Sequence, residues 1–171
     1  MKKILGMVAS LTLISGICAA VLAAVNGVTK QPIADMKEKQ EKDAIMAVMP
    51  AGVAKVDAAD GFSIGKDAAG KVVGYAAKGA DAGGYGGDIV LMVGFKADKK
   101  SVECYKVLAA AETPGLGMKL STPEFASQFC GKDGSRLFVK KDGGEIEAIT
   151  SATITSRAVC RAIADAQKKL R

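Results

Sequence analysis

From Ile4 to Thr29 the chain carries no charged side chain, and Met1-Lys2-Lys3 stands immediately before this run. A bilayer core of about 30 Å needs roughly 20 apolar residues in a helix, a length that Ile4 to Val25 supplies. Leu5, Leu11, Leu13, Ile14, Leu22 and Val25 make it apolar enough to remain in lipid. The two leading lysines place the N-terminus in the cytoplasm under the positive-inside bias, so that everything after Asn26 lies outside. A cleaved signal peptide is the other reading, because Ala19-Ala20 and Ala23-Ala24 resemble a processing site. Signal-peptide apolar cores run about 7–15 residues, which is shorter than this one, and Ile17 before Cys18 does not fit a lipoprotein site.

After the apolar run, Lys30 to Met49 alternates charges at helical spacings, with Glu38 and Lys42 as a favourably ordered i,i+4 pair. Ile33, Met36, Ile45, Val48 and Met49 give this segment a sparse apolar face, and Pro50 and Gly52 end it. It is expected to be a stalk helix.

From Gly61 onwards the period changes. Short runs of β-branched and aromatic residues, Lys71–Ala77 and Ile89–Phe95, are bounded by glycines or by Asp98-Lys99, and these read as strands. Val102–Leu108, Leu137–Lys140 and Glu145–Ile149 are further strand candidates. Ser121-Thr122-Pro123-Glu124 starts a short helix over Phe125–Phe129. Val159, Ile163, Ala166 and Leu170 then fall on one face of a closing helix over Ser156–Leu170, with Arg157, Arg161, Asp165 and Lys168 on the other. The expected class is α+β: an N-terminal transmembrane helix and stalk, then an antiparallel sheet packed with a few helices.

Charge changes this picture little. Of 24 basic residues only Lys2 and Lys3 precede the apolar run, and all 18 acidic residues follow it, so the remainder carries 22 − 18 = +4. The basic residues are dispersed among acids and aromatics make up 5% of the chain, which is no footprint for nucleic acid. The chain contains no histidine, which removes the commonest proton shuttle and metal ligand and excludes Ser-His-Asp or Cys-His catalysis. Cys104, Cys130 and Cys160 are far apart with no CxxC spacing, so no zinc or iron–sulfur site is expected. One disulfide with one thiol and three free thiols both remain open.

Three segments carry candidate chemistry. Between the last strand candidate and the last helix, Glu147-Ala148-Ile149-Thr150-Ser151-Ala152-Thr153-Ile154-Thr155-Ser156 places five hydroxyls in seven positions. One or two would cap a helix; five exceed that need, and a helix N-terminus also binds phosphate through its free N–H groups. Glu112-Thr113-Pro114-Gly115-Leu116-Gly117-Met118-Lys119 is a Pro-Gly turn with an apolar Leu116 at its tip, suited to close approach to a flat ring. Gly83-Gly84-Tyr85-Gly86-Gly87-Asp88 is either a mobile hairpin tip or a backbone held close to something else.

Taken together and in this order, Gly84-Tyr85-Gly86-Gly87, Glu112-Thr113-Pro114-Gly115-Leu116-Gly117 and Thr150-Ser151-Ala152-Thr153 resemble the FMN-binding domain family. The likeness is to the G subunits of Rnf (also called Rsx) electron-transport complexes, and more distantly to the C subunits of sodium-translocating NADH:quinone reductases. It includes the single N-terminal anchor and so covers most of the chain. It divides the sequence into an anchor over residues 1–28, a stalk over 29–52 and an FMN-binding domain over 53–171.

In that family the last threonine of a Ser/Thr-Gly-Ala-Thr motif is joined to FMN by a phosphoester bond, made by a separate flavin transferase. Carried over by position, Thr153 is the modified residue. Glu147, Thr150, Ser151 and Ala152 supply transferase recognition and the phosphate surroundings. Glu112, Thr113, Gly115, Leu116 and Gly117 border the isoalloxazine ring, with Tyr85 on the glycine-rich turn. Ser151 stands where the motif has glycine, Glu147 where it has aspartate, and Asp88 where the turn often has proline.

The resemblance implies an electron-carrying subunit of a membrane-bound translocase that couples ferredoxin and NAD chemistry to ion transport. Other membrane subunits would be its partners, and the FMN domain would lie on the periplasmic or extracellular side of the cytoplasmic membrane. Apolar groups near the ring and few cations would favour one-electron steps. A stand-alone flavinylated carrier and a non-redox binding module are the alternatives.

Overall fold

The structure, a computed structural model, describes Lys2 to Arg171. Its first element is α1 (Lys2–Val48), a helix that takes in both the apolar run and the charged segment after it. The chain divides into two compact units, the first ending at Gln40 and the second spanning Glu41–Arg171. In the first unit the helix is long and apolar enough to cross a membrane, with a mean hydropathy of 2.3 over its most apolar stretch. Its large side chains, Leu5, Leu11 and Leu22 among them, are exposed. Its hydroxyls fold back on their own backbone: Thr12 donates to the Val8 carbonyl and Thr29 to the Val25 carbonyl, each at 2.9 Å. Such bonds leave no side-chain donor to be satisfied by lipid.

The second unit is built on a five-stranded antiparallel meander of β1 (Lys55–Ala59), β2 (Phe62–Lys66), β3 (Val72–Asp81), β4 (Ile89–Lys96) and β5 (Val102–Ala109), paired in that order. β3, β4 and β5 occupy the stretches expected from their apolar content, β3 running on through Lys78-Gly79-Ala80-Asp81. β1 and β2 went unanticipated. Lys55-Val56-Asp57-Ala58-Ala59 has no strand-like composition, and it is held extended by its ladder to β2 rather than by its own preference.

Side chains alternate across the central strand. Leu91, Val93 and Phe95 of β4 point to the main core, and Met92 points to the opposite face. The main core is closed by α3 (Thr153–Lys168), whose Val159, Ile163 and Ala166 are buried, with Leu170 just beyond it. The expected apolar face is therefore the one that packs. The opposite face receives Ala44 and Val48 from the end of α1, and Met49 just after it.

Two glycines set how closely these helices lie on the sheet. A Cβ on Gly94 would sit 1.8 Å from the Val48 carbonyl oxygen, and one on Gly79 would sit 2.0 Å from that of Ala162. Any side chain at either position would lift the helix off its strand.

Two strand expectations are corrected. Leu137–Lys140 and Glu145–Ile149 form no ladder; Val139 and Ile146 make a single parallel bridge around a 3-10 turn over Lys140–Asp142. Parallel strands need a crossover of a dozen or more residues, and the five residues between Lys140 and Ile146 cannot provide one. The apolar residues of both segments still enter the core individually, with Leu137, Val139, Ile146 and Ile149 all buried. The short helix over Phe125–Phe129 is displaced by two residues to α2 (Pro123–Ser127), beginning at the proline as its fixed φ favours. Phe125 and Phe129 stack edge-to-face at 5.3 Å, and Tyr105 meets Phe129 at 5.5 Å.

All four cysteines are free thiols. Burial pushes the Cys104 thiol up to about 11 and that of Cys160 up to about 12.

Candidate functional site

The helix expected from Ser156 begins three residues earlier, at Thr153. This makes Thr153 the first residue of α3 and leaves the preceding Ala152 as the N-cap, with no side chain bonded to the helix start. Of the hydroxyls in this segment, two are committed to the protein. Ser156 Oγ donates to the Ala152 carbonyl and accepts from Ile149 N–H, both at 2.9 Å, which stitches the approach segment to the first turn. Thr155 Oγ1 donates to Glu112 Oε2 at 2.8 Å. Among the described residues the Thr153 hydroxyl has no hydrogen-bond partner. Capping therefore does not explain the hydroxyl cluster, and the first-turn N–H groups remain available to an anion.

Ser151 has φ +62°, in the left-handed region that favours glycine. Its backbone turn brings the chain sharply from the Ile149 segment into α3, and the Ala152 N–H to Ile149 carbonyl bond at 2.9 Å closes that turn. A glycine motif position that reads serine here has thus kept the glycine conformation.

A cleft of about 540 Å³ opens beside Thr153. Tyr85, Glu112, Thr113, Leu116, Gly117, Ser151, Ala152 and Thr153 line it, so eight of the ten residues expected from sequence come together. Gly115 and Thr150 are not among its walls. Gly115, at φ +75°, serves the turn itself: Leu116 N–H returns to the Thr113 carbonyl at 3.2 Å across Pro114-Gly115. Thr150 lines a separate hollow with Lys119, Gln128 and Glu147.

Ile154 and Thr155, which sequence reasoning did not single out, complete the cleft. Their signal was present in the helix start: once Thr153 is the first helical residue, its two successors must share its surroundings. Gln128 was also missed. Its amide accepts from Glu147 N–H at 2.7 Å and donates to the Glu147 carbonyl at 3.3 Å, holding the stretch of chain that leads to Thr153.

The cleft's chemistry is lopsided. Tyr85, Leu116 and Ile154 present exposed aromatic and apolar surface, at 72%, 43% and 49% of their full accessibility. No lysine or arginine lines it. One carboxylate does: Glu112 is only 5% exposed, and besides Thr155 it accepts from Gly86 N–H at 3.4 Å. The glycine-rich loop is thereby tied to the cleft. Its other anchor is Arg161, whose guanidinium pairs with Asp81 through two bonds of 2.8 Å and also reaches the Gly83 carbonyl. The Arg161 guanidinium holds the Asp81 carboxyl below its usual range, against the opposing effect of partial burial.

An apolar platform, an unpartnered hydroxyl and an uncapped helix start suit a ligand with a flat ring at one end and a phosphate at the other. The donor set offers nothing for a metal, and among the described residues no cluster of three or more metal-ligating side chains occurs.

Comparison with known proteins agrees with this chemistry. Residues 84–168 match the family described as FMN-binding domain. The chain is 32% identical to the G subunit of the ion-translocating oxidoreductase complex of Methanosarcina acetivorans, over 95% of this chain and 92% of that one. It is 31% identical to the G subunit of the proton-translocating ferredoxin:NAD(+) oxidoreductase complex of Clostridium ljungdahlii, over 99% and 92%. To the Na(+)-translocating counterpart of Acetobacterium woodii it is 33% identical, over 87% and 83%.

Among solved structures, NqrC of Shewanella oneidensis aligns with a TM-score of 0.50 and 24% identity, over 60% of this chain and 52% of that one. The C subunit of the Na(+)-translocating NADH-quinone reductase from Parabacteroides distasonis aligns with the same TM-score and identity, over 64% and 60%. These two support the fold. With an apolar N-terminal helix, a cleft that fits a ring and a phosphate, and near full-length relatives that are G subunits, the chain belongs to the FMN-binding domain family, among the G subunits of ion-translocating oxidoreductase complexes.

Proposed function

We propose that this chain is the electron-carrying G subunit of a membrane-bound Rnf-type complex, and that it carries FMN through a phosphoester bond to Thr153. The observation that carries the proposal is the Thr153 hydroxyl: first residue of α3, on the cleft wall, and unpartnered, beside two hydroxyls that are both engaged. A phosphate on that oxygen would meet the first-turn N–H groups and the positive end of the helix dipole, needing no arginine. Tyr85, Leu116 and Ile154 would hold the ring. FMN, when bound, supplies the electron transfer, and the chain supplies position and electrostatics.

The relatives' names speak of ferredoxin:NAD(+) oxidoreduction coupled to proton or sodium translocation. In this chain the cleft carries no motif for those reactions, so they are assigned to partner subunits. A separate flavin transferase would load Thr153, approaching over the exposed Glu147, Thr150 and Ser151. α1 would anchor the chain in the cytoplasmic membrane, with Lys2 and Lys3 on the cytoplasmic side and the FMN domain outside.

In-gel fluorescence tests the covalent bond. Full-length chain from a host that makes the transferase is expected to fluoresce after denaturing electrophoresis, and Thr153→Ala to be dark. Equal fluorescence in both would move the attachment to another residue.

A further inference from the structure

The cleft wall holds a buried acidic side chain that positioning alone does not require. Glu112 follows the end of β5, and its side chain turns inward until the residue is 5% exposed. Two glycines border its carboxylate and a third borders the backbone leading to it. A Cβ on Gly84 would lie 2.7 Å from Oε1, one on Gly117 would lie 2.5 Å from Oε2, and one on Gly86 would strike the Ala111 carbonyl at 1.8 Å. The glycines of the Tyr85 loop and of the Leu116 turn are thus the space that this carboxylate occupies.

Its two donors are neutral: the Thr155 hydroxyl, itself fully buried, and the Gly86 N–H. No cation pairs with it among the described residues, whereas Asp57, Asp81, Asp142 and Glu145 at the surface all have one. A buried carboxylate without a countercharge is costly, and it is retained here on the wall of the cleft. Tyr85 is the other titratable group on that wall, and no lysine or arginine is present to offset either.

We propose that Glu112 sets the reduction potential of the group bound in this cleft, its negative charge opposing the arrival of an electron. The inference rests on the cleft holding FMN as proposed above. No bond to the protein forms or breaks: one electron comes from a chemical reductant or a partner carrier and leaves to the next. At an effective dielectric of about 20, a unit charge about 10 Å from the bound group shifts a one-electron equilibrium by on the order of tenfold, and by more if it lies nearer; tenfold corresponds to about 59 mV for a one-electron couple.

The test is a spectroelectrochemical titration of the full-length, flavinylated chain in detergent, with each sample's intact mass taken first. Glu112→Gln keeps the shape and an oxygen to accept from Thr155 but removes the charge. Its potential is expected to rise by about 59 mV or more, a tenfold gain in electron affinity. Thr155→Val removes the hydroxyl and keeps the charge, and Glu112→Asp also keeps the charge; neither is expected to raise the potential. Mere loosening of the cleft would move all three the same way.

An unchanged or lowered potential in E112Q overturns the inference. So does an equal rise in T155V or E112D, and so does an E112Q chain that cannot be loaded, since Glu112 would then serve loading instead. A wild-type chain whose mass shows no FMN overturns the flavin assignment itself, which separates the two failures.

Discussion

Gly86→Ala gives the sharpest structural expectation. The new Cβ would start 1.8 Å from the Ala111 carbonyl oxygen, where real Cβ contacts essentially never fall below 3.0 Å. The glycine-rich loop must therefore retreat by more than an ångström from the chain leading to Glu112. The Gly86 N–H to Glu112 Oε1 bond, already 3.4 Å long, cannot survive that movement. A buried carboxylate oxygen left without its donor costs about 1–3 kcal/mol, and forcing a side chain into filled space costs about 1–3 kcal/mol more. The expected loss is about 2–6 kcal/mol, smaller than most of the roughly 5–15 kcal/mol range that holds such a domain together. The chain should therefore still fold. Urea denaturation of the full-length protein in detergent, followed by far-UV circular dichroism, reads the change as a shifted midpoint at constant slope. Gly61→Ala serves as the control: it has φ +81° and nothing within 4 Å, so it reports backbone strain alone, about 1–2 kcal/mol. A Gly86→Ala protein within about 0.5 kcal/mol of wild type, the range of an ordinary surface substitution, would refute the packing described for this loop.

Ser151→Gly should raise stability by a few tenths to about 1 kcal/mol, because it relieves a left-handed φ at some entropic cost; a loss on thermal melting would contradict the strain. Gln128→Ala should cost about 1–2 kcal/mol by removing two bonds to Glu147, and should slow FMN loading in a timed reaction with the transferase; an unchanged loading rate would show that the approach segment is held by other contacts. The Asp81 carboxyl is depressed below its ordinary 3.8 chiefly by its hydrogen bonds to Arg161. A depressed acid contributes stability that is complete above its unfolded value and is lost as pH falls through the folded one. The stability gap between wild type and Arg161→Gln should accordingly be constant above about pH 5 and shrink progressively as pH falls below about 4; a gap no smaller at about pH 3 than at about pH 7 would contradict this.

The legible parts of the fold were those in which one residue pattern has one outcome. The apolar run from Ile4 to Val25 could hardly be anything but a long helix, and Val159, Ile163, Ala166 and Leu170 bury together as their spacing requires. β4 announces itself in Ile89-Val90-Leu91-Met92-Val93 because it is covered on both faces, by α3 and by the end of α1. β1 was illegible for the opposite reason: an edge strand carrying Lys55 and Asp57 is set by its partner. Leu137–Lys140 misled because apolar content signals burial, which is correct here, without specifying a ladder.

In the cleft, the motif segments revealed which stretches converge, and eight of ten residues do. What they could not reveal was the start of α3. Five hydroxyls close together look alike in sequence, whereas the folded chain commits Thr155 to Glu112 and Ser156 to the backbone and leaves Thr153, as the first residue of α3, and Ser151 before it facing the cleft. Glu112 likewise read as one polar residue of a turn, and its burial against Gly84 and Gly117 comes partly from contacts between segments far apart in the chain.

The most direct test of the account is the intact mass of the full-length chain purified from its own host, followed by peptide fragmentation. The account predicts a single species heavier than the polypeptide by one FMN less one water, with the added mass located on Thr153 and lost in Thr153→Ala. A bare polypeptide mass in a host that makes the transferase, or the added mass on Thr150 or Ser151 instead, would contradict it.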